Sequence, residues 1–316
     1  MASSNHSKYT LAEPSPLLAD THLGEVIEAY DNRADRSRGC LIAWGLVVLL
    51  TVGGGIYLLC NPPQGQGFTA TDMLIAAAVV LVEIIVYFIL LSSSRRCQRI
   101  FVCREGVQWE RYGRSSGAIT KFRTVYWEQV NSVVSRKERR YRADNGDNEK
   151  ANDYKRTLRT LELLDATGNT LLKLTGHYYN ESDKAGHFTW IWYAVKAVER
   201  QWEAICVPLM VQQVETVNEV VFPLKKGKLL RLTGEGIYCD DRLIARNNIV
   251  VSWFNVDETL ALRDATQKRN LLQKTFNLKE THVNVSAMPN GCLLLPLILQ
   301  LYGVQLSEEH TLFSIH

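Results

Sequence analysis

Glu83 is the side chain with the costliest setting in this sequence. It interrupts Met73–Ser94, MLIAAAVVLVEIIVYFILLSSS, a run with no other charge. An ionised acid near the middle of such a run costs roughly a few kcal/mol if the run crosses a bilayer. Counting inward from Ser94 and from Cys40 along an antiparallel hairpin brings Glu83 to the depth of Thr51. Two roles fit this pair. A protonated carboxyl can hydrogen-bond the Thr51 hydroxyl or a neighbouring subunit, or Glu83 can line a proton or ion path in an oligomer.

A second candidate is electrostatic. Arg136–Arg156, RKERRYRADNGDNEKANDYKR, carries eight basic and five acidic residues and almost nothing apolar. It reads as a flexible inserted loop. Arg136, Lys137, Arg139, Arg140 and Arg142 are the candidate contacts to anionic lipid, weakened by Glu138, Asp144, Asp147 and Glu149. The other reading is a solvated loop that binds nothing.

Further candidate chemistry is sparse. P-loop, G-x-G-x-x-G, H-E-x-x-H and G-x-S-x-G patterns are absent from the sequence. His177 and His187 stand ten residues apart across a turn, which suits no single-helix metal pair. Asp240-Asp241 sits between strand-like segments and reads as a hairpin turn. Seven cysteines include no C-x-x-C pair and point to free thiols in a reducing compartment. No catalytic residue, metal site or cofactor is assigned, and the reading is not an enzyme.

The elements that would carry these residues begin with two apolar runs. Leu41–Cys60 and Met73–Ser94 are each about 30 Å long as helices, one bilayer core. Arg33, Arg36 and Arg38 precede the first run, and Arg95, Arg96 and Arg99 follow the second. The positive-inside rule then predicts a transmembrane hairpin with both termini cytoplasmic in a multi-pass plasma-membrane protein. Charge is split accordingly. Residues 1–94 hold four Lys/Arg against eight Asp/Glu, and residues 95–316 hold 32 against 25, giving −4 and +7 and the total of +3. That excess is too modest for a nucleic-acid binder.

The part after the hairpin holds a degenerate repeat. Residues 100–107, IFVCREGV, resemble 230–237, LRLTGEGI, at an offset of 130. Val125–Val130 and Val251–Val256 share V-x-W-x-x-V at an offset of 126. Strands are predicted at Thr160–Asp165 and Thr170–Thr175, joined by Ala-Thr-Gly-Asn, and at Thr275–Lys279 and His282–Ser286. Each unit closes with an apolar helix. In the first, Phe188, Ile191, Val195, Val198, Trp202 and Ile205 make one stripe, with Lys196, Glu199, Arg200 and Glu203 off it. Trp190, Trp192 and Tyr193 also lie off the stripe; packing on the second unit is the favoured expectation, and contact with the membrane interface is the alternative. Pro208 is expected to stop or kink this helix. The second helix is predicted over Gly291–Val304.

Leu23-Gly24-Glu25 with Tyr30, the hairpin, R-x-F-V-x-x-E-G-V at Arg99–Val107 and the V-x-W-x-x-V strand together resemble bacterial membrane proteins with pleckstrin-homology-like domains, many of them uncharacterised. The resemblance implies an α+β membrane protein: a two-helix transmembrane hairpin, then two pleckstrin-homology-like β-rich domains, each closed by a C-terminal helix. The expected boundaries are 1–38 for an N-terminal segment, 39–94 for the hairpin, 95–212 for the first domain with its insertion at 136–156, and 213–316 for the second. The expected function is membrane-anchored binding or scaffolding at the inner leaflet. Membrane lipids and an unidentified protein or peptide are the expected partners, without nucleic acid, and a homo-oligomer is also open. The alternative is a small oligomeric channel or transporter subunit with Glu83 in its path.

Overall fold

The computed structural model describes residues 16–18, 21–33, 45–51, 53, 77–86, 96–113, 116–141, 154–178, 189–224, 227–254, 258–267, 280–286 and 288–306. These form mainly antiparallel β-sheet. Strand β1 is Val26–Asp31, β2 Arg96–Cys103, β3 Gly106–Gly113 and β4 Ile119–Tyr126, hydrogen-bonded in that order. Strand β5 is Ser132–Tyr141, β6 Tyr154–Leu164 and β7 Thr170–Tyr178, a three-stranded sheet. Helix α1, Trp190–Val217, follows. The same order of parts then recurs. Strand β8 is Glu219–Pro223, β9 Leu229–Thr233, β10 Gly236–Cys239 and β11 Arg242–Ala245, again four strands. Strand β12 is Ile249–Phe254, β13 Thr259–Asp264 and β14 Thr281–Asn284, again three, before helix α2, Gly291–Tyr302.

The membrane reading is corrected. Among the described residues, no helix is long and apolar enough to cross a membrane. The described helical residues of the two apolar runs are 45–51 with 53, and 77–86. The remainder of 41–60 and 73–94 lies outside the described residues, as do residues 34–44 and 307–316. The transmembrane hairpin, the membrane fold class and the multi-pass placement with cytoplasmic termini are therefore overturned.

The chain divides into two compact units, one of residues 1–30, 100–108 and 123–316, the other of 31–99 and 109–122. In the smaller unit, Asn32 and Gln98 pair through the Asn32 amide at 3.0 Å and the Asn32 Oδ1 at 2.8 Å. Arg99 binds Glu110 at 2.6 Å and lies 4.9 Å from the Tyr112 ring, whose hydroxyl donates to Asp31.

The larger unit contains both tight turns of the repeat. The Glu105 carbonyl accepts the Trp127 amide at 3.0 Å, and the Glu235 carbonyl accepts the Arg246 amide at 2.8 Å. A Cβ on Gly106 would sit 2.3 Å from the Val125 oxygen, and one on Gly236 2.2 Å from the Ile244 oxygen. Both sites admit only glycine, because the neighbouring backbone occupies the space a side chain needs. The E-G copies thus occupy equivalent turns. The V-x-W-x-x-V copies do not: Trp127 opens a 3₁₀ turn before β5, whereas Trp253 lies inside β12. The equivalent of Trp127 is Arg246.

Residues 136–141 and 154–156 form a ladder, with Arg136 opposite Thr160 and Arg140 opposite Arg156, so the charged stretch is partly strand and not a loop throughout. Residues 142–153 lie outside the described residues, as does Thr275–Lys279. The 165–169 turn is built as expected, with Asp165 Oδ1 accepting the Thr167 and Asn169 amides at 2.8 Å.

Helix α1 differs from its sequence reading in two ways. It continues through Pro208 to Val217. The carbonyl that Pro208 cannot bond belongs to Ala204, which is exposed and can be hydrated. Trp190, Tyr193 and Glu199 are buried although they lie off the stripe. The reason is packing on more than one side, against β6, β7, β8 and α2.

Candidate functional site

Strand β6 alternates its side chains, sending Thr157, Arg159, Leu161 and Leu163 to the buried face. A guanidinium therefore occupies a core position, with its side chain 4% exposed. Its Nη2 donates to Glu199 Oε1 on α1 at 2.7 Å, and its Nη1 donates to Glu258 Oε1. The second Glu199 oxygen accepts from Lys196 Nζ at 2.7 Å. Glu258 precedes β13 at φ 49°, a left-handed conformation that costs on the order of 1–2 kcal/mol. Its carbonyl accepts the Val285 amide at 2.9 Å, and its carboxylate is held by Arg159. The bend is fixed from both ends.

Burial alone would raise the Glu199 carboxyl. The Arg159 guanidinium and the Lys196 ammonium outweigh it and hold the group down at about 2. Burial would likewise discharge Arg159, and Glu199 and Glu258 reverse that. Beside this cluster is a cavity of about 210 Å³, with Lys196, Glu199, Glu203, Trp253, Cys292 and Pro296 in its wall. Burial, followed by repulsion from Glu199, pushes the Glu203 carboxyl up to about 7. Burial and the same two carboxylates push the Cys292 thiol well above its usual range, which makes it a poor nucleophile.

Acid should test the cluster directly. Glu199 titrates near its ordinary value of about 4.5 when unfolded and about 2 when folded. Its stabilisation is therefore full above 4.5 and lost as pH falls toward 2. Urea midpoints measured from pH 6 to 2 should fall more steeply for the native chain than for Glu199→Gln.

No family model, curated protein or solved structure matches the chain. The site must be judged on its own chemistry. Arg159, Glu199 and Glu258 come from β6, α1 and the turn before β13, so the cluster joins the first set of sheets to the second. Asn290 adds a polar tie. Its Oδ1 accepts from both the Val133 amide and Trp202 Nε1 at 3.0 Å, while its backbone N–H donates to the Val133 carbonyl at 2.8 Å.

The sequence-derived candidates lie elsewhere. Thr51 Oγ1 is 3.4 Å from Glu83 Oε1 and 3.0 Å from the Val47 carbonyl, so those two residues do come together. The basic candidates do not form one patch. Arg136 and Arg140 are exposed on one face of β5, whereas Lys137 and Arg139 alternate onto the other and are half-buried. Arg136 lies 3.5 Å from Glu162, and Arg140 3.3 Å from Glu138. Arg142 and His187 lie outside the described residues. Asp240 and Asp241 form the hairpin turn between β10 and β11, with Lys228 2.9 Å from Asp240.

Arg159, Glu199 and Glu258 belong to no motif and are 40 and 59 residues apart in sequence. The one local signal is a charged residue at an inward position of an alternating strand. It was available at Arg159, between Thr157 and Leu161.

Proposed function

We propose that this chain is a binding or scaffolding protein for a protein or peptide partner, with its buried charges serving as an internal clasp. The supporting observation is the exposed face of the second four-stranded sheet. Val221, Arg231, Tyr238 and Leu243 stand opposite one another across β8, β9, β10 and β11 in one register. Val221 is 42% exposed and Leu243 37%. Arg231 lies 4.9 Å from the Tyr238 ring, a cation held over an aromatic face. The alternate residues Val220, Phe222, Leu230, Leu232, Ile237 and Ile244 fill the core.

Such a row of apolar groups around an arginine and a tyrosine has the composition of a binding hot spot. It suits a partner segment with apolar side chains and one carboxylate. Arg159, Lys196, Glu199 and Glu258 at the cavity are paired with one another, which favours a holding role over a chemical one.

The test is site-specific photo-crosslinking in the native cell. A photoreactive residue at Leu243 should give a discrete protein adduct, and one at the exposed turn residue Thr167 should not. Arg231→Glu should lower the Leu243 yield by about tenfold, as reversing a charge in an interface does. The same adducts from both positions, or none from Leu243, would overturn the reading.

A further inference from the structure

Glu203 stands one helical turn after Glu199 on α1, on the same side of the helix. The two cations nearest Glu199 are already engaged by it, Arg159 at 2.7 Å and Lys196 at 2.7 Å. Glu203 itself forms no ion pair among the described residues and shares the cavity wall with Cys292 and Pro296 of α2. Pro296 has no amide hydrogen, so the carbonyl four residues earlier, that of Cys292, lacks its helical donor. Glu203, which has no counter-ion, and Cys292 and Pro296, where the proline leaves one carbonyl without its helical donor, thus line one cavity between the two helices that close the two sets of sheets.

We propose that Glu203 is a proton-operated catch between α1 and α2: protonated, it donates to the Cys292 carbonyl and holds the helices together, and ionised, it loosens them. The charged and titratable groups facing it are Lys196, Glu199 and Arg200 on its own helix, Arg159 on β6, Glu258 before β13 and Cys292 on α2. Deprotonation removes the carboxyl proton that would bridge to the Cys292 carbonyl. It also places two carboxylates four residues apart, an arrangement that destabilises a helix. Lys196 and Arg200 soften that repulsion but are committed to Glu199 and Glu28. The Glu203 carboxyl has its midpoint at about 7. The folded chain therefore binds this proton more tightly than the unfolded one, and the stabilisation is lost as pH rises from about 4.5 through 7. Cys292 stays protonated over that interval, since burial raises it.

The inference does not depend on the partner reading, and its test involves no partner. Amide hydrogen exchange of the full chain, corrected for intrinsic rates, is followed from pH 5.5 to 8.5 with β6 amides as an internal reference. Protection in residues 291–302 should fall about tenfold relative to β6 along a one-proton curve centred near 7, as a local opening does. Glu203→Gln, fixed in the uncharged form, should keep high protection at every pH, and Cys292→Ser should retain the native pH dependence. Should Glu203→Gln fail to fold, the ¹³C shift of the Glu203 carboxyl in the native chain must follow the same curve as the α2 protection. Flat protection in the native chain, an unaltered pH dependence in Glu203→Gln, or a carboxyl titrating apart from the α2 protection would each overturn the catch.

Discussion

Replacing Arg159 by methionine should lower the stability of the folded chain by about 3–5 kcal/mol. The substitution leaves Glu199 and Glu258 with side chains 3% and 12% exposed and no guanidinium between them. The loss comes from Glu258 left without a cation and Glu199 left with Lys196 alone, more than from a missing attraction, because a buried ion pair contributes little net stability over apolar packing. A triple replacement of Arg159, Glu199 and Glu258 by apolar residues of similar volume should recover most of it. Denaturant unfolding of both variants checks this. A loss under about 1 kcal/mol in the single variant would place the cluster in the range of solvent-screened surface pairs.

Trp202→Ala should cost about 3–5 kcal/mol, the usual range for removing a large buried aromatic. Its ring centroid lies 6.0 Å from that of Trp127, and its indole nitrogen is 3.0 Å from Asn290 Oδ1. Truncation opens a void at the point where the first set of sheets meets α2. Trp202→Phe should keep most of the packing and lose only the hydrogen bond, about 1 kcal/mol. Thermal unfolding that ranks the alanine variant equal to the phenylalanine variant would mean that the indole contributes only its N–H.

Much of the β architecture could be read from local signals. The 165–169 turn follows from Asp, Gly and Asn at positions that form a tight hairpin, and the E-G turns from a glycine against backbone. Helix α1 was visible as a stripe, but Glu199 was assigned to its wet side. Periodicity registers only how apolar a residue is, and a buried charge paired across 40 and 59 residues leaves no periodic trace. The V-x-W-x-x-V match misaligned the two copies because similar letters fell on different structural positions, Trp127 in a turn and Trp253 in a strand. The apolar runs have the length and hydrophobicity of membrane spans, yet among the described residues no helix is long and apolar enough to cross a membrane. The cavity and its unpaired carboxyl were invisible for a further reason. They depend on the approach of α1 and α2, which is set by Asn290 and the core beneath.

Strand β1 pairs with β2 although 64 residues, 32–95, separate them in sequence. During synthesis, Val26–Asp31 therefore leaves the ribosome well before its partner exists. At about 5–20 residues per second, the interval is several seconds. Through that time a bare strand carrying Ala29 and Tyr30, both later buried, has its hydrogen-bonding edge open to any other extended chain. A nascent chain with this layout has reason to depend on a holding chaperone, and a version permuted to place β1 directly before β2 would shorten the wait.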